Sequence, residues 1–404
     1  MSAAVQAFYE RRPYPPPLST DSLDRYRRLW HDGQRRRAEH HLMWPGRPFR
    51  DDPSILVAGC GTSQAAKVAL RWPRARVTGI DFSATGVRCT EDLKRAYGLD
   101  NLTVRQLPIA EVAALGASFD QIVCTGVLHH LPDPDVGLRA LRAVLAPGGA
   151  MHLMVYAPYG RIGITMLQEL CKRLGIGSGA TDDELRDLLL TLRALPPGHP
   201  LEVLLRTTPD LRDEAALADA LLHPQERAYT VPELFTFLVR GDVVFGRWLK
   251  QAPYSPGCGL MAFTRHAARI AQLPAGEQAA AVELLRGTML RHSVIAHADA
   301  ATAAAHRLDF TDERWQRYVP IRVPDTVVVE ERLPPGAAAV LINRTHPCPD
   351  IYLAVDARER AVYERIDGTR AAGEIARAAG LGEGAGPFFE RLHLHDQVVF
   401  DASG

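Results

Sequence analysis

An apolar run that ends abruptly in two glycines constrains the fold of this chain more than any other segment. The run is ILVAGCGTSQ at residues 55–64, and a helical stretch follows it. A strand that ends in Gly-x-Gly and opens a helix places bare backbone and the positive end of a helix at the carboxyl edge of a sheet. Such an edge is typical of nucleotide sites, although a lone Gly-x-Gly also occurs in ordinary tight turns.

The residues around this loop alternate short β-rich runs with helical stretches. This order is typical of a parallel sheet covered by helices on both faces, so the predicted fold class is α/β. We predict strands at 54–58, 76–80, 102–105, 120–124 and 151–156, helices at 63–72 and 134–145, and a turn at Pro147-Gly148-Gly149.

Residues 160–228 hold several helical segments and almost no strand-like sequence, which predicts an inserted helical cap. The βα order then resumes with a helix at VPELFTFLVRG and strands at VVFGRWL and GLMAFTRH, so the main domain is expected to span about 51–265. Residues 1–50 are expected to form an N-terminal arm and helix that cover the cofactor site, with Tyr9 and Tyr14 closing over it; the alternative is a Pro-rich arm that packs along the domain.

Residues 266–404 are predicted to form an accessory domain. A helix is expected at 276–292, and strand-like TVVVEERL and AAAVLI follow it. Three short helices and the strand QVVF come next, which favours a small α+β winged-helix-like module at about 325–404.

Composition argues against several classes of partner. Lysine plus arginine and aspartate plus glutamate both number 47, so no global field gathers nucleic acid. The arginines of RYRRLWHDGQRRR spread around a helix, which favours a solvated face. No apolar run approaches the ~20 residues of a membrane span. Six scattered cysteines without a CxxC pair predict reduced thiols, no metal site and a cytoplasmic protein.

An acidic residue stands where a nucleoside would need one. Asp81 closes the second predicted strand, twenty positions after Gly61, and an acid there can accept hydrogen bonds from ribose hydroxyls. A dinucleotide fingerprint would require glycine at 64 or, in a second spacing, at 63. The chain has Gln64 and Ser63 instead, and Ser63 is expected to cap the following helix.

Motifs further along the chain resemble a known family. FDQIVCTGVLHHLPDP at 119–134, followed by LRAVLAPGG and MHLMVYA, resembles the fourth-strand and fifth-strand motifs of class I S-adenosylmethionine-dependent methyltransferases. Gly59, Gly61 and Asp81 stand where that resemblance requires them. FYERRPYPPP and ERAYTVPELFTFL resemble a bacterial branch often fused to tetratricopeptide repeats, which extends the likeness to about 7–265.

The resemblance implies a Rossmann-like sheet of seven strands and S-adenosyl-L-methionine as cofactor. Adenine would be read by backbone near Pro108 and Ile109 and by packing on Phe82. The chain departs from the family at Val57, where an acid is usual, and between 106 and 109, where no acid occurs. The residues that the resemblance assigns to the cofactor are Tyr14, Ala58, Gly59, Cys60, Gly61, Asp81, Phe82, Pro108, Ile109 and Gly126.

Methyl transfer from a sulfonium mainly requires that donor and acceptor be aligned in a dry pocket. His129 and His130 follow the fourth strand at the sheet edge. One of them, His129 in preference to His130, is expected to contact the acceptor or remove its proton; the alternative is that both brace the loop. Tyr156 and Tyr159 can stabilise a cationic sulfonium and orient an acceptor, and Arg161 can hold a carboxylate or phosphate. A core position for Tyr156 and a surface position for Arg161 are the alternatives.

The expected acceptor is a small molecule or a modified peptide, and the C-terminal module is expected to bind a peptide or a second copy of the chain. Three other functions stay open from the sequence. They are an RNA methyltransferase, a nicotinamide-dependent oxidoreductase, which Gln64 opposes, and a protein that binds S-adenosylmethionine without turnover.

Overall fold

The computed structural model describes residues 3–18, 20–30, 33–199, 201 and 214–404. Most of the predicted segment PLEVLLR therefore lies outside the described residues. The strands within these ranges are β1 Ser54–Ala58, β2 Arg76–Asp81, β3 Leu102–Gln106, β4 Phe119–Thr125, β5 Leu145–Tyr156, β6 Val244–Trp248, β7 Arg291–His297, β8 Val319–Arg322, β9 Thr326–Val329, β10 Ala339–Asn343, β11 Leu353–Val355 and β12 Val398–Asp401.

The α-helices are numbered in the same way along the chain. They are α1 Ala3–Arg11, α2 Thr20–Leu29, α3 Gly33–Met43, α4 Gln64–Arg71, α5 Ala84–Tyr97, α6 Pro134–Ala143, α7 Ile162–Arg173, α8 Asp182–Arg193, α9 Glu214–Leu222, α10 Val231–Arg240, α11 Ala267–Ala271, α12 Ala275–Arg286, α13 Ala300–Ala305, α14 Ala357–Glu364, α15 Ala372–Ala378 and α16 Gly386–Leu394.

Seven of the described strands form one mixed sheet in the order β3-β2-β1-β4-β5-β7-β6. The pairs β3-β2, β2-β1, β1-β4 and β4-β5 are parallel, and β6 pairs antiparallel with β7. Strand β1 is buried from Ile55 to Ala58, as expected of a parallel strand covered on both faces. The order reverses between β1 and β4, and in such sheets ligands bind at the carboxyl ends beside this reversal.

The predicted α/β class, the first strand and the seven-stranded sheet are confirmed. The predicted turn at Pro147-Gly148-Gly149 instead lies inside β5. The register between β4 and β5 shifts at this point, since Phe119 pairs with Leu145 and Gln121 pairs with Ala150. The additional residues of β5 between these two pairs form an irregularity within the strand. Gly148 takes a φ of +69° at this point.

The strand predicted at GLMAFTRH is wrong. Residues Gly259–Phe263 form a short 3-10 helix. Gly259 has a φ of +59°, and the N–H of Leu260 donates to Asp350 at 2.7 Å, so the backbone is not free to pair as a strand. The seventh strand of the sheet is β7, beyond the predicted boundary near residue 265 and partly within the helix predicted at 276–292. That helix ends at Arg286, directly before Gly287 with a φ of +60°.

The described residues fall into two compact units that alternate along the chain. The first comprises those within 1–28, 52–242 and 287–292, and the second those within 29–51, 243–286 and 293–404. In the first unit, Phe8 of α1 packs into the apolar core that α7, α8 and α9 share. In the second, α14, α15 and α16 enclose a core with Trp315 and Phe389. The winged-helix-like assignment and the domain limits stay predictions.

Candidate functional site

The glycine loop after β1 takes a conformation that suits glycine. Gly59 and Gly61 have φ values of +72° and +53°. The N–H groups of Gly59 and Cys60 both donate to the carbonyl of Ile80, at 2.8 and 2.9 Å, which fastens the loop to the end of β2. A Cβ atom on Gly59 would lie 2.4 Å from a methyl group of Val127, so a side chain has no room there.

Asp81 connects this loop with the end of β2. One carboxylate oxygen of Asp81 accepts the N–H of Gly61 at 2.8 Å, and the other accepts the N–H of Ser83 at 2.9 Å. Burial raises the pKa of Asp81, while these backbone hydrogen bonds act in the opposite direction. Each carboxylate oxygen has two lone pairs, so Asp81 keeps acceptor capacity for a further donor.

The residues expected near adenine lie beside Asp81. Phe82 is half-buried, and its carbonyl accepts the Gln106 side-chain amide at 3.0 Å. The N–H of Leu107 donates to the carbonyl of Asp81 at 2.8 Å. Pro108 and Ile109 therefore follow β3 at the same end of the sheet, with Ile109 buried at the start of a 3-10 helix.

The expected helix cap at Ser63 is wrong. Helix α4 begins at Gln64, but Ser63 has a φ of −157° and a ψ of −12°, and its hydroxyl makes no capping hydrogen bond. That hydroxyl is buried and has no hydrogen-bond partner among the described residues. The backbone does not take the extended geometry that aims an N-cap hydroxyl at the first turn. Gln64 instead donates to the Thr125 hydroxyl at 3.0 Å, which joins the glycine loop to the end of β4.

His129 lies in the short 3-10 helix Leu128–His130 that follows β4 and Gly126. Its ring centroid lies 4.0 Å from that of Tyr156 and 4.2 Å from that of His130. Within the described residues, neither ring nitrogen of His129 has a hydrogen-bond partner. Burial lowers the pKa of His129 well below its usual range, so the imidazole is neutral at pH 7.

Tyr156 ends β5, and Arg161 ends the 3-10 turn Tyr159–Arg161 just after it. The guanidinium carbon of Arg161 lies 3.7 Å from the ring centroid of Tyr156, within cation–π range. Arg161 also donates to a carboxylate oxygen of Glu226 at 2.7 Å. Arg161 is only 5% exposed, so it is not a surface charge.

A row of rings connects the nucleoside side of the site with Tyr156. Successive centroids are 6.1 Å apart from Phe82 to Tyr9, 5.4 Å from Tyr9 to His223, and 3.9 Å from His223 to His130. The ring centroid of His130 in turn lies 4.2 Å from that of His129, with the two rings tilted by 52°. The structure thus brings together residues predicted as cofactor-binding and as catalytic.

Sequence analysis considered His130 and Tyr9 but left their partners His223, Gln225 and Asp219 unassigned. Burial lowers the pKa of His130 to about 4 and that of His223 to about 3. His130 Nδ1 lies 2.9 Å from the carbonyl of Gln225, and Tyr9 donates to Asp219 at 3.2 Å. No local pattern marks these three residues, which lie just before the motif ERAYTVPELF.

The N-terminal segment lies against the glycine loop. The Thr62 hydroxyl donates to the carbonyl of Pro15 at 2.8 Å, and a Cβ on Gly61 would lie 3.4 Å from the carbonyl oxygen of Tyr14. Over the part of the chain that the structure describes, no group of three or more His, Cys, Asp or Glu side chains could hold a metal ion.

Comparison with known proteins accounts for this arrangement. Residues 56–151 match the family model described as a methyltransferase domain. Over these residues the chain is therefore similar to a methyltransferase domain. The matched residues include the glycine loop, Asp81 and His129. In the described ranges, no helix is long and apolar enough to cross a membrane.

Relatives of the methyltransferase domain differ in how much of the chain they cover. The protein syc1184_c of Synechococcus sp. is 35% identical over 256 residues, which are 61% of this chain and 59% of that protein. A ubiquinone biosynthesis O-methyltransferase of Bordetella avium is 32% identical over 99 residues, which are 24% of this chain and 39% of that enzyme. The chain therefore matches less than two thirds of the length of these relatives.

A solved structure resembles nearly the whole chain. PKMT2 from Rickettsia typhi in complex with AdoHcy superimposes with a TM-score of 0.63 at 15% sequence identity, covering 96% of this chain and 77% of that chain. At this identity the similarity concerns the fold, which is the Rossmann-like methyltransferase fold in the seven-stranded sheet.

Proposed function

We propose that this protein transfers a methyl group from S-adenosylmethionine to a small-molecule or peptide acceptor. The observation that carries the proposal is the hydrogen bond between Asp81 and the N–H of Gly61. It joins the acid at the end of β2 to the glycine loop after β1, beside the point where strand order reverses. A ribose acceptor and a loop of bare backbone therefore lie in one place.

The residues present fit a nucleoside with an amino-acid tail. Gly59 and Gly61 are in the left-handed conformation and carry no Cβ atom. Ala58 precedes them and Cys60 lies between them, and both are proposed to present backbone to the ligand. Asp81 retains lone pairs for ribose hydroxyls. Phe82, Pro108 and Ile109 are proposed to hold adenine, and Tyr14 and Gly126 the methionine end.

When bound, S-adenosylmethionine supplies an electrophilic methyl group on a sulfonium. The chain's own residues would align the acceptor and exclude water from it. His129 is neutral at pH 7, and neither of its buried ring nitrogens has a partner among the described residues. Its unprotonated nitrogen therefore suits a proton acceptor or a hydrogen-bond partner of the acceptor. Tyr156 and Tyr159 are proposed to face the same site, with Arg161 held behind Tyr156 by Glu226.

The helical cap at about 160–228 is proposed to cover the acceptor. Its described helices α7, α8 and α9 share one apolar core, so they can act as one element. The C-terminal module is proposed to bind a peptide or a second copy of the chain.

Calorimetry with S-adenosylmethionine and S-adenosylhomocysteine tests the cofactor site. We expect both to bind the wild type, and Asp81→Ala to weaken binding by at least tenfold, because a hydrogen bond to a charged group contributes ~1.5–3 kcal/mol. Asp92→Asn, an exposed acid on α5, is the control and should bind normally. A wild type that binds neither compound would overturn the proposal.

A radiolabelled methyl screen over small molecules and peptides then tests transfer. Label on an acceptor, lost when the cap is replaced by a short Gly/Ser linker, would support the function and the place of the acceptor. Cofactor binding without label on any acceptor would instead favour a protein that binds S-adenosylmethionine without turnover.

A further inference from the structure

Glu10, near the end of α1, forms hydrogen bonds with the residues at the start of α5. Its carboxylate accepts the N–H of Ala84 at 2.8 Å and the hydroxyls of Ser83 and Thr85 at 3.2 and 2.5 Å. These three residues are the first that follow Asp81 and Phe82. Glu10 therefore bonds to the loop that carries the proposed ribose acceptor.

The N–H groups of the first helical turn have no partner within their own helix. In α5, the Ser83 hydroxyl accepts the N–H of Gly86, which leaves the N–H of Ala84 to be satisfied from elsewhere. Glu10 supplies that acceptor from 74 residues away in sequence. A carboxylate at this end of a helix is also favoured by the helix dipole. The hydrogen bonds that Glu10 accepts, above all the one from the Thr85 hydroxyl, hold the pKa of Glu10 below its usual value, so the group is ionised at neutral pH.

Ser83 links Glu10 directly to Asp81. Its hydroxyl donates to Glu10, and its N–H donates to Asp81, which in turn accepts from Gly61. A displacement of Glu10 therefore reaches both the proposed ribose acceptor and the glycine loop through three hydrogen bonds.

The same arm is anchored on the cap. Tyr9 donates to Asp219 on α9, while Arg12 donates to the carbonyl of Ala180 and to Asp182, both at 2.8 Å. Pro15 accepts the Thr62 hydroxyl, so the arm reaches the glycine loop as well. Residues 9–15 thus run from the cap across both loops of the nucleoside site, and we call this segment the clasp.

We propose that Glu10 is a positioning residue that closes the clasp over the bound nucleoside and slows its release. The inference rests on the proposed function and adds to it a residue and a kinetic role. Release would require the hydrogen bonds of Glu10 to Ser83, Ala84 and Thr85 to break, whereas entry into an open site would not.

The test measures association and dissociation rates of S-adenosylhomocysteine on the full chain by surface plasmon resonance. We expect Glu10→Ala to raise the dissociation rate by about tenfold or more and to leave the association rate unchanged or higher. Glu10→Gln keeps one acceptor oxygen and should lie between Glu10→Ala and wild type. Asp92→Asn removes an acid from α5 outside the clasp and should behave as wild type.

A structural role alone would reduce the fraction of active protein and leave both rate constants as they are. Thr85→Val keeps the side-chain shape, removes a donor to Glu10 and should raise the dissociation rate on its own, with little further increase when combined with Glu10→Ala. Unchanged dissociation rates in folded Glu10→Ala and Thr85→Val would overturn the clasp and leave the proposed function standing. Absence of binding by the wild type would overturn both.

Discussion

Replacement of Gly59 by alanine gives a sharp test of the glycine loop. A Cβ at this position would lie 2.4, 2.8 and 3.1 Å from the two methyl carbons and the Cβ of Val127. Gly59 also has a φ of +72°, which an alanine adopts only with strain. Gly98, at the end of α5, has a φ of +58° with no other atom within 4 Å of an added Cβ. Gly98→Ala therefore isolates the backbone strain from the clash.

The expected costs follow from these two contributions. Left-handed backbone costs alanine ~1–2 kcal/mol, and forcing atoms into a packed site costs ~1–3 kcal/mol. We expect Gly98→Ala to lower the free energy of unfolding by ~1–2 kcal/mol and Gly59→Ala by ~2–5 kcal/mol. The lower entropy of the unfolded chain that alanine brings applies to both variants and cancels in the comparison.

Urea unfolding followed by circular dichroism measures these differences, and a double-mutant cycle with Val127→Ala apportions them. Val127→Ala removes both methyl carbons and leaves the Cβ at 3.1 Å. In the Gly59→Ala background it should therefore restore most of the free energy of unfolding lost to the clash and none of that lost to the backbone strain. Equal losses in Gly59→Ala and Gly98→Ala, or no recovery from Val127→Ala, would refute the reasoning.

Three further predictions concern the buried cluster. In the folded protein the pKa of His130 is about 4 and that of His223 is about 3, so the unfolded chain binds protons first as the pH falls below ~6.5. The free energy of unfolding should therefore be constant above pH 7 and decrease towards pH 4, and a constant value in urea unfolding between pH 7 and pH 4 would contradict this prediction. Arg161→Met and Glu226→Gln should each cost ~3–5 kcal/mol, and the double variant clearly less than their sum in urea unfolding, since each single change leaves a buried group without its partner; additive losses would count against a coupled pair. His129→Ala should lower the single-turnover rate of methyl transfer by ~100-fold to 10,000-fold with little change in cofactor affinity, and His129→Asn should not restore it; equal rates and pH profiles in all three proteins would leave His129 a structural residue.

The sequence alone determined the parts of this protein that depend on local order. The apolar runs predict β1 at its observed bounds. Spacing and resemblance assign Gly59, Gly61 and Asp81 to the cofactor, and the structure joins Gly61 to Asp81 by a hydrogen bond. Such features are readable because a strand, a tight turn and a helix start each depend on residues that are close in sequence.

Only the tertiary structure decided which distant residues meet and what charge they carry. Glu10 reaches Ala84 across 74 residues and Arg161 meets Glu226 across 65, and no periodic pattern encodes pairs at such separations. The neutral state of His129 at pH 7 is likewise a consequence of burial beside Tyr156 and His130, because the pKa of an imidazole depends on how much water and charge surround it in the folded chain.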